Sequence, residues 1–243
     1  MRIIKLDAID STNRFLKGLA LEKKCDNFTV VSTESQYEGK GQRGSGWSSD
    51  AGKNLTFSVL YQQKGKLLSS LFTLNIIVAI SVVEALKSVS NLNFVIKWPN
   101  DILAENKKIG GILIENSFKN ANEVQSIIGI GLNINQSHFE NLPQASSLYL
   151  LENTIFNRDS LLQAIVQRLE FNLKQISVLG ATHFWDVYHQ ILFKRNVVSA
   201  FESVTGSRFV GKIQEVTQDG KLAVLLEDDS ICFFDVKEVK MLY

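Results

Sequence analysis

The sequence predicts an α+β protein that ends in a small β-barrel, and three observations carry that reading. Strand-like and helix-like segments are interleaved as far as residue 194. Two of the helical segments are long and carry continuous apolar stripes, at 69–89 and 158–179. After Arg195 the texture changes to short runs rich in β-branched and aromatic residues, separated by Asp219-Gly220 and Asp228-Asp229-Ser230 turns. The change marks two domains, 1–194 and 195–243.

Taken in order, residues 3–6 read as a short strand. Asp10-Ser11-Thr12-Asn13 is a cluster of N-cap residue types, and Phe15, Leu16 and Leu19 lie on one side of the helix that follows. One of the three polar residues caps that helix, which leaves the others available to a ligand. Residues 28–33 are β-branched and form a strand that leads through Gln36 into a glycine-rich loop. Residues 54–61 alternate polar and apolar and form the returning strand. The 69–89 helix presents Leu71, Leu74, Ile77, Val78, Val82 and Leu86 at helical spacing. Strands 94–98 and 102–104 flank Pro99-Asn100-Asp101, and a polar turn, Glu105-Asn106-Lys107, makes a hairpin with strand 108–115. Gly110 and Gly111, then Gly129 and Gly131 in the strand within 124–135, thin one face of the sheet and suggest close approach of another group. Leu161, Leu162, Ile165, Leu169, Leu173 and Ile176 stripe the 158–179 helix, and Thr182 opens a second helix through Phe184, Trp185 and Tyr188.

Composition narrows the class. The chain has 243 residues, 45% hydrophobic and 21% charged, enough for a substantial core. A net charge of +1 gives no long-range basic field for nucleic acid. No run of about eighteen apolar residues predicts a membrane helix. The first residues lack the apolar core of a signal peptide, so a cytoplasmic location is expected. Cys25 and Cys232 match no metal spacing and are expected to be two buried free thiols.

Chemistry concentrates at Gly39-Lys40-Gly41-Gln42-Arg43-Gly44-Ser45-Gly46-Trp47. Four glycines fall within eight residues. Successive backbone N–H groups in such a loop form a nest for anions, and Lys40 and Arg43 add positive charge. The same composition also suits a mobile solvated turn. Gly39, Gly41 and Gly44 fit G-x-G-x-x-G, but no helix pattern follows, which rejects a dinucleotide fingerprint. No H-R-D or D-F-G follows, which rejects a kinase loop. His138, His183 and His189 show neither triad nor metal spacing.

This loop is followed in order by Lys97-Trp98-Pro99-Asn100-Asp101, Lys108-Ile109-Gly110-Gly111-Ile112-Leu113 and Gly129-Ile130-Gly131-Leu132-Asn133-Ile134. The set resembles the biotin–protein ligases, and the resemblance spans nearly the whole chain. It implies a mixed sheet with helices on one face, the class II synthetase-like fold of biotin and lipoate ligases, followed by an SH3-like barrel. It implies that ATP and biotin give biotinyl-adenylate and pyrophosphate, and that a lysine of a biotin carboxyl carrier domain then takes the biotinyl group. By the family pattern Ser11, Thr12, Asn13, Gln36, Lys40, Gly41, Gln42, Gly110 and Gly111 bind biotin. Arg43, Trp47, Asn100, Lys108 and Asn133 lie with the nucleotide, Lys108 and Arg43 act in catalysis, and Asp101 helps hold Mg2+.

Two departures stand out. Many members carry Arg at the positions of Lys40 and Gln42, so charge on the phosphates rests more on Arg43 and Lys108. Some members begin with a DNA-binding domain. This chain starts almost at the first strand, so no DNA binding is expected, and a monomer or homodimer without membrane contact is the expected form. A lipoate–protein ligase of the same fold and a non-catalytic biotin- or nucleotide-binding module are the alternatives.

Overall fold

The computed structural model describes residues 2–22, 25–64, 70–120 and 123–243, with the side chains of Arg43, Lys64 and Asn120 outside the description. Ser69, expected in the second helix, also falls outside. Seven strands form the main sheet: β1 (Arg2–Ile9), β2 (Thr29–Gln36), β3 (Leu55–Lys64), β4 (Phe94–Lys97), β5 (Asp101–Ala104), β6 (Lys107–Asn120) and β7 (Glu123–Leu132). Their spatial order is β1-β2-β3-β7-β6-β5-β4. Only β1 and β2 run parallel, and every other neighbour is antiparallel.

The helices occupy both faces, not one. α2 (Leu71–Lys87) starts at Ser70, whose side chain accepts from the Thr73 N–H. It is apolar almost all round, as a helix buried on every side must be. It lies between the sheet and α4 (Arg158–Gln190). α4 is two helices broken at Gly180, which has φ +77°, in agreement with the two helical segments expected there. α1 (Thr12–Leu21) takes the opposite face. Its Leu16 and Ala20 pack on Val31, Leu60 and Ile127, each one residue out of phase with a main-core neighbour. Burying each of these large side chains contributes about 1.5–3 kcal/mol. A short helix, α3 (Leu148–Glu152), follows β7 and was not foreseen.

The C-terminal part forms a second antiparallel sheet from β8 (Val198–Ser203), β9 (Arg208–Val216), β10 (Leu222–Leu226), β11 (Ile231–Phe234) and β12 (Val239–Leu242), ordered β11-β10-β9-β8-β12. The ladder ends at β11 and β12, so among the described residues it is an open sheet rather than a closed barrel. Phe201, Ile213, Val224 and Val239 join the same apolar cluster as the main core. The Trp98 indole N–H donates to Gly220 O at 2.9 Å, tying the β4–β5 connection to the second sheet, and Arg195 Nε donates to Gln214 O at 2.7 Å, fastening the segment after α4 to β9. Cys25 and Cys232 are free but half-buried rather than buried. No described helix is long and apolar enough to cross a membrane.

Candidate active site

On the α1 side the sheet opens into a cavity of about 570 Å³. Strand alternation decides what faces it. On β7, Ile128, Ile130 and Leu132 belong to the main core, while Gly129 and Gly131 line the cavity, which Ile130 between them also touches. On β6 their partners Leu113 and Gly111 line it too. Gly110 is one residue out of phase and faces the Leu132 side chain. The expected Gly110-Gly111 pair therefore splits, and only Gly111 reaches the site.

By the same alternation Lys108 would point into the core. A register shift between Ile102 and Leu103 prevents this, because Ile102 pairs with Gly110 and Leu103 with Lys108. The extra residue, Ile109, turns into the core and is fully buried, while Lys108 comes round to the cavity. A bulge re-aims a side chain in this way. Lys108 Nζ meets Asp101 Oδ1 at 2.5 Å, and Lys97 Nζ lies 3.5 Å from Asp101 Oδ2. Both carboxylate oxygens thus face ammonium groups. No cluster of three His, Cys, Asp or Glu side chains exists among the described residues. This donor set does not fit the magnesium contact expected of Asp101.

Under α1 the polar residues form one network. Ser11 caps the helix, accepting from Arg14 N–H at 3.4 Å. Thr12 N–H donates to Gln36 Oε1 at 2.9 Å, and Asn13 Nδ2 donates to Glu115 Oε2 at 2.7 Å. Ser58, fully buried on β3, sits 2.7 Å from Thr12 Oγ1 and 2.6 Å from Asn13 Oδ1. Nothing in the sequence marks Ser58, a lone serine in an alternating strand.

The glycine loop folds into a small hairpin around a 3-10 turn at Gln42–Gly44. Gly41 N–H donates to Ser45 O at 2.6 Å and Trp47 N–H to Gly39 O at 2.9 Å. Trp47 lies over Gly131, where a Cβ would sit 2.5 Å from its Cε2. Asn13 lies over Gly129 in the same manner, with a Cβ 2.5 Å from its Oδ1. The thinned sheet face expected to leave a ligand slot is thus filled in part by the protein's own side chains. Gln42 Oε1 and Trp47 Nε1 are buried at this cavity with no hydrogen-bond partner among the described residues.

Lys40, Gly41, Gln42, Gln36 and Asn100 also line the cavity. Asn100 spends its amide on Ile112 O at 2.7 Å. Asn133 is elsewhere: it is buried, and its Nδ2 donates to Ser146 O at 3.0 Å. The Arg43 side chain lies outside the described residues. Residues that sequence reasoning did not single out come from far along the chain, chiefly Phe193, Glu202, Lys237 and Lys240. Among the lining residues five lysines face two carboxylates, Asp101 and Glu202. The cavity therefore favours anions.

A mixed sheet carrying a cation-rich cavity on one face is the architecture to be matched. The model of the Biotin/lipoate A/B protein ligase family matches residues 6–133, more than half of the chain, and the protein belongs to this family. It is similar to the "Bifunctional ligase/repressor BirA" of Escherichia coli, 32% identical over 130 residues, covering 53% of this chain and 39% of that protein. It is also similar to the "Biotin--[acetyl-CoA-carboxylase] ligase" of Mycobacterium tuberculosis, 28% identical over 168 residues, covering 68% and 61%. The chain thus spans about two fifths to three fifths of the length of these relatives. Among solved structures, the biotin protein ligase from Aquifex aeolicus in complex with biotin and ATP superposes with a TM-score of 0.81 at 26% identity, covering 99% of this chain and 98% of that one.

Proposed function

We propose that this protein is an ATP-dependent biotin–protein ligase. It activates biotin as biotinyl-5'-AMP and transfers the biotinyl group to a lysine of a carboxyl carrier domain. One observation carries the reading: a single cavity joins the Thr12–Asn13–Gln36 network to the Lys97–Asp101–Lys108 cluster. The sheet order sets β2 and β3 on one side of β7 and β5 and β6 on the other, so a ligand lying across β7 touches both groups. The names of related proteins and the ligands in the Aquifex aeolicus complex support the same assignment.

The chemistry suits these groups. A biotin carboxylate oxygen forms a bond to the α-phosphorus of ATP, and the bond to pyrophosphate breaks. An acceptor amine then attacks the acyl carbon, loses a proton, and AMP departs. The first step brings two anions together, so fixed cations aimed at them lower its barrier most. Lys108, with Lys40 and Arg43 from the glycine loop, is assigned to that task. The ureido head of biotin is assigned to Ser11, Thr12, Asn13 and Gln36, and the partnerless Gln42 Oε1 and Trp47 Nε1–H are groups that a ligand would complete. Gly41 and Gly111 allow backbone approach. Asn100 is assigned to the nucleotide side. We also take 1–194 as the ligase domain and 195–243 as an SH3-like unit, whose Glu202, Lys237 and Lys240 line the same cavity.

The test is biotin-dependent exchange of labelled pyrophosphate into ATP. Wild type should exchange with biotin and not with lipoate, and Lys108→Ala should lower the rate by at least about 100-fold, the scale of losing one aimed charge. Exchange driven by lipoate would move the assignment to the other branch of the family. Biotin binding without exchange would leave a binding module.

A further inference from the structure

Tyr243 stands behind the cation cluster and does not line the cavity. Its ring lies under Lys97, with Nζ 5.2 Å from the ring centroid. It packs edge-on against Phe193 at 5.1 Å, and its carbonyl oxygen accepts from Gln144 Nε2 at 2.6 Å. Burial, and then the nearby Asp101 carboxylate, push its phenol above the ordinary tyrosine value. Tyr243 follows β12 directly, so the ring is delivered by the C-terminal sheet to a cation of the main sheet.

The cluster holds an asymmetry. Lys108 is in close contact with Asp101 at 2.5 Å, while Lys97 stands off at 3.5 Å. Lys108 is also the more exposed of the two, with 39% of its side chain open against 20% for Lys97. To serve an incoming phosphate Lys108 must leave Asp101. The carboxylate would then sit buried beside the anion with its charge unmet, unless Lys97 closes on it. A lysine held this loosely by its carboxylate needs a second hold, and an aromatic face supplies one worth a few-fold in an equilibrium.

We propose that Tyr243 is a positioning residue for the activation step: its ring holds Lys97 against Asp101, so that Asp101 can release Lys108 to the phosphate. This rests on the ligase reading above. A structural plug and a cation hold predict different behaviour. Tyr243→Phe keeps the ring face and should exchange pyrophosphate within about two-fold of wild type. Tyr243→Leu keeps bulk without the face and should lose about five- to ten-fold in kcat/KM for ATP, with KM for biotin unchanged. Replacing the ring by a series of increasingly fluorinated phenylalanines, which drain the ring face while keeping its shape, should lower kcat/KM in step. In a Lys97→Met background, Tyr243→Leu should add almost nothing.

The deciding experiment is pyrophosphate exchange across the fluorinated series, with thermal unfolding of each variant alongside. A graded fall in exchange at constant unfolding midpoint supports the proposal. Exchange that is flat along the series, or a Tyr243→Leu loss of equal size with and without Lys97, overturns it. Wild type that fails to exchange at all overturns the ligase reading instead, so the two failures are told apart.

Discussion

Gly131→Ala is the sharpest probe of the site. The backbone there is ordinary antiparallel strand, paired with Thr56 on one side and Gly111 on the other, so alanine costs nothing in conformation. The cost is contact. The new Cβ would lie 2.5 Å from Trp47 Cε2 and 2.6 Å from Cζ2. An ordinary carbon contact is about 3.5 Å, so the indole must retreat by about 1 Å. Its loop is tied by Trp47 N–H to Gly39 O and by the bridge between Lys40 and Gly46, so Lys40, Gly41 and Gln42 move with it. Overpacking of this kind costs about 1–3 kcal/mol. A loop can yield where a core cannot, so little of that should appear as lost fold stability, and most should appear when ligand binding requires the loop in place. The expected result is biotin affinity lower by roughly 10- to 100-fold in titration calorimetry, with an unfolding midpoint close to wild type. In a Trp47→Ala background the same change should be nearly neutral, because the clashing ring is gone. If Gly131→Ala weakens binding equally with and without Trp47, the contact is not the cause and the reasoning fails.

Two further outcomes follow from the same geometry. Ser58→Ala removes the hydroxyl that partners Asn13 Oδ1 and Thr12 Oγ1 in a fully buried position, so it should destabilise by about 1–3 kcal/mol in denaturant unfolding. It should also weaken biotin binding while leaving the KM for ATP unchanged, and an equal effect on both ligands would count against the assignment of this network to biotin. His189 is held below the ordinary imidazole value, chiefly by burial and further by Arg195, against opposing pulls from the Val216 backbone, Glu215 and Asp186. Its Nε2 lies 3.1 Å from both the N and the O of Val216, which joins α4 to β9. The folded state therefore binds this proton less readily than the unfolded chain, and stability falls as pH drops through roughly 6.5 toward the lower folded value. Unfolding midpoints of wild type and His189→Gln measured between about pH 7.5 and 5 should differ in slope, with the flatter curve in the variant.

Much of this was legible because periodicity and turn chemistry are local. The turn at Glu105 and Asn106, both at positive φ, closes the hairpin where its polar residues said it would. The break in α4 falls at Gly180, between the two expected helices. The cluster at 11–13 starts a helix, and Ser11 is the one that caps it. What escaped was set by pairing between distant strands. Whether Gly110 or Gly111 faces the cavity depends on register, and whether Lys108 does depends on a one-residue bulge opposite Ile102 and Leu103. Neither leaves a mark in a single strand. Ser58 meets Thr12 and Asn13 from 46 and 45 residues away, and Tyr243 meets Lys97 from still farther along the chain, so only the sheets bring them together. Asn133 shows the converse, since a motif residue expected at the nucleotide serves to fasten β7 to the 146 segment.

The Lys97-Trp98-Pro99-Asn100-Asp101 segment is best understood as a joint between the two sheets that also carries charge. Ile96, just before it, takes a hydrogen bond from Phe193 N–H and gives one to Ile191 O. Trp98 reaches Gly220 of the second sheet, and Asn100 clamps Ile112 of β6 from side chain and backbone. Lys97 and Asp101 leave the same short segment on the cavity side. A shift of the C-terminal sheet is then expected to reach Lys97 and Asp101, which set the position of Lys108, through the Trp98–Gly220 bond. Lys237, Lys240, Glu202 and the ring of Tyr243 thus stand near a site whose recognisable motifs end at Ile134. A change that loosens the joint without touching the cavity, such as loss of the Trp98–Gly220 bond, is then expected to act on Lys108 through Asp101 and to lower activation more than biotin binding.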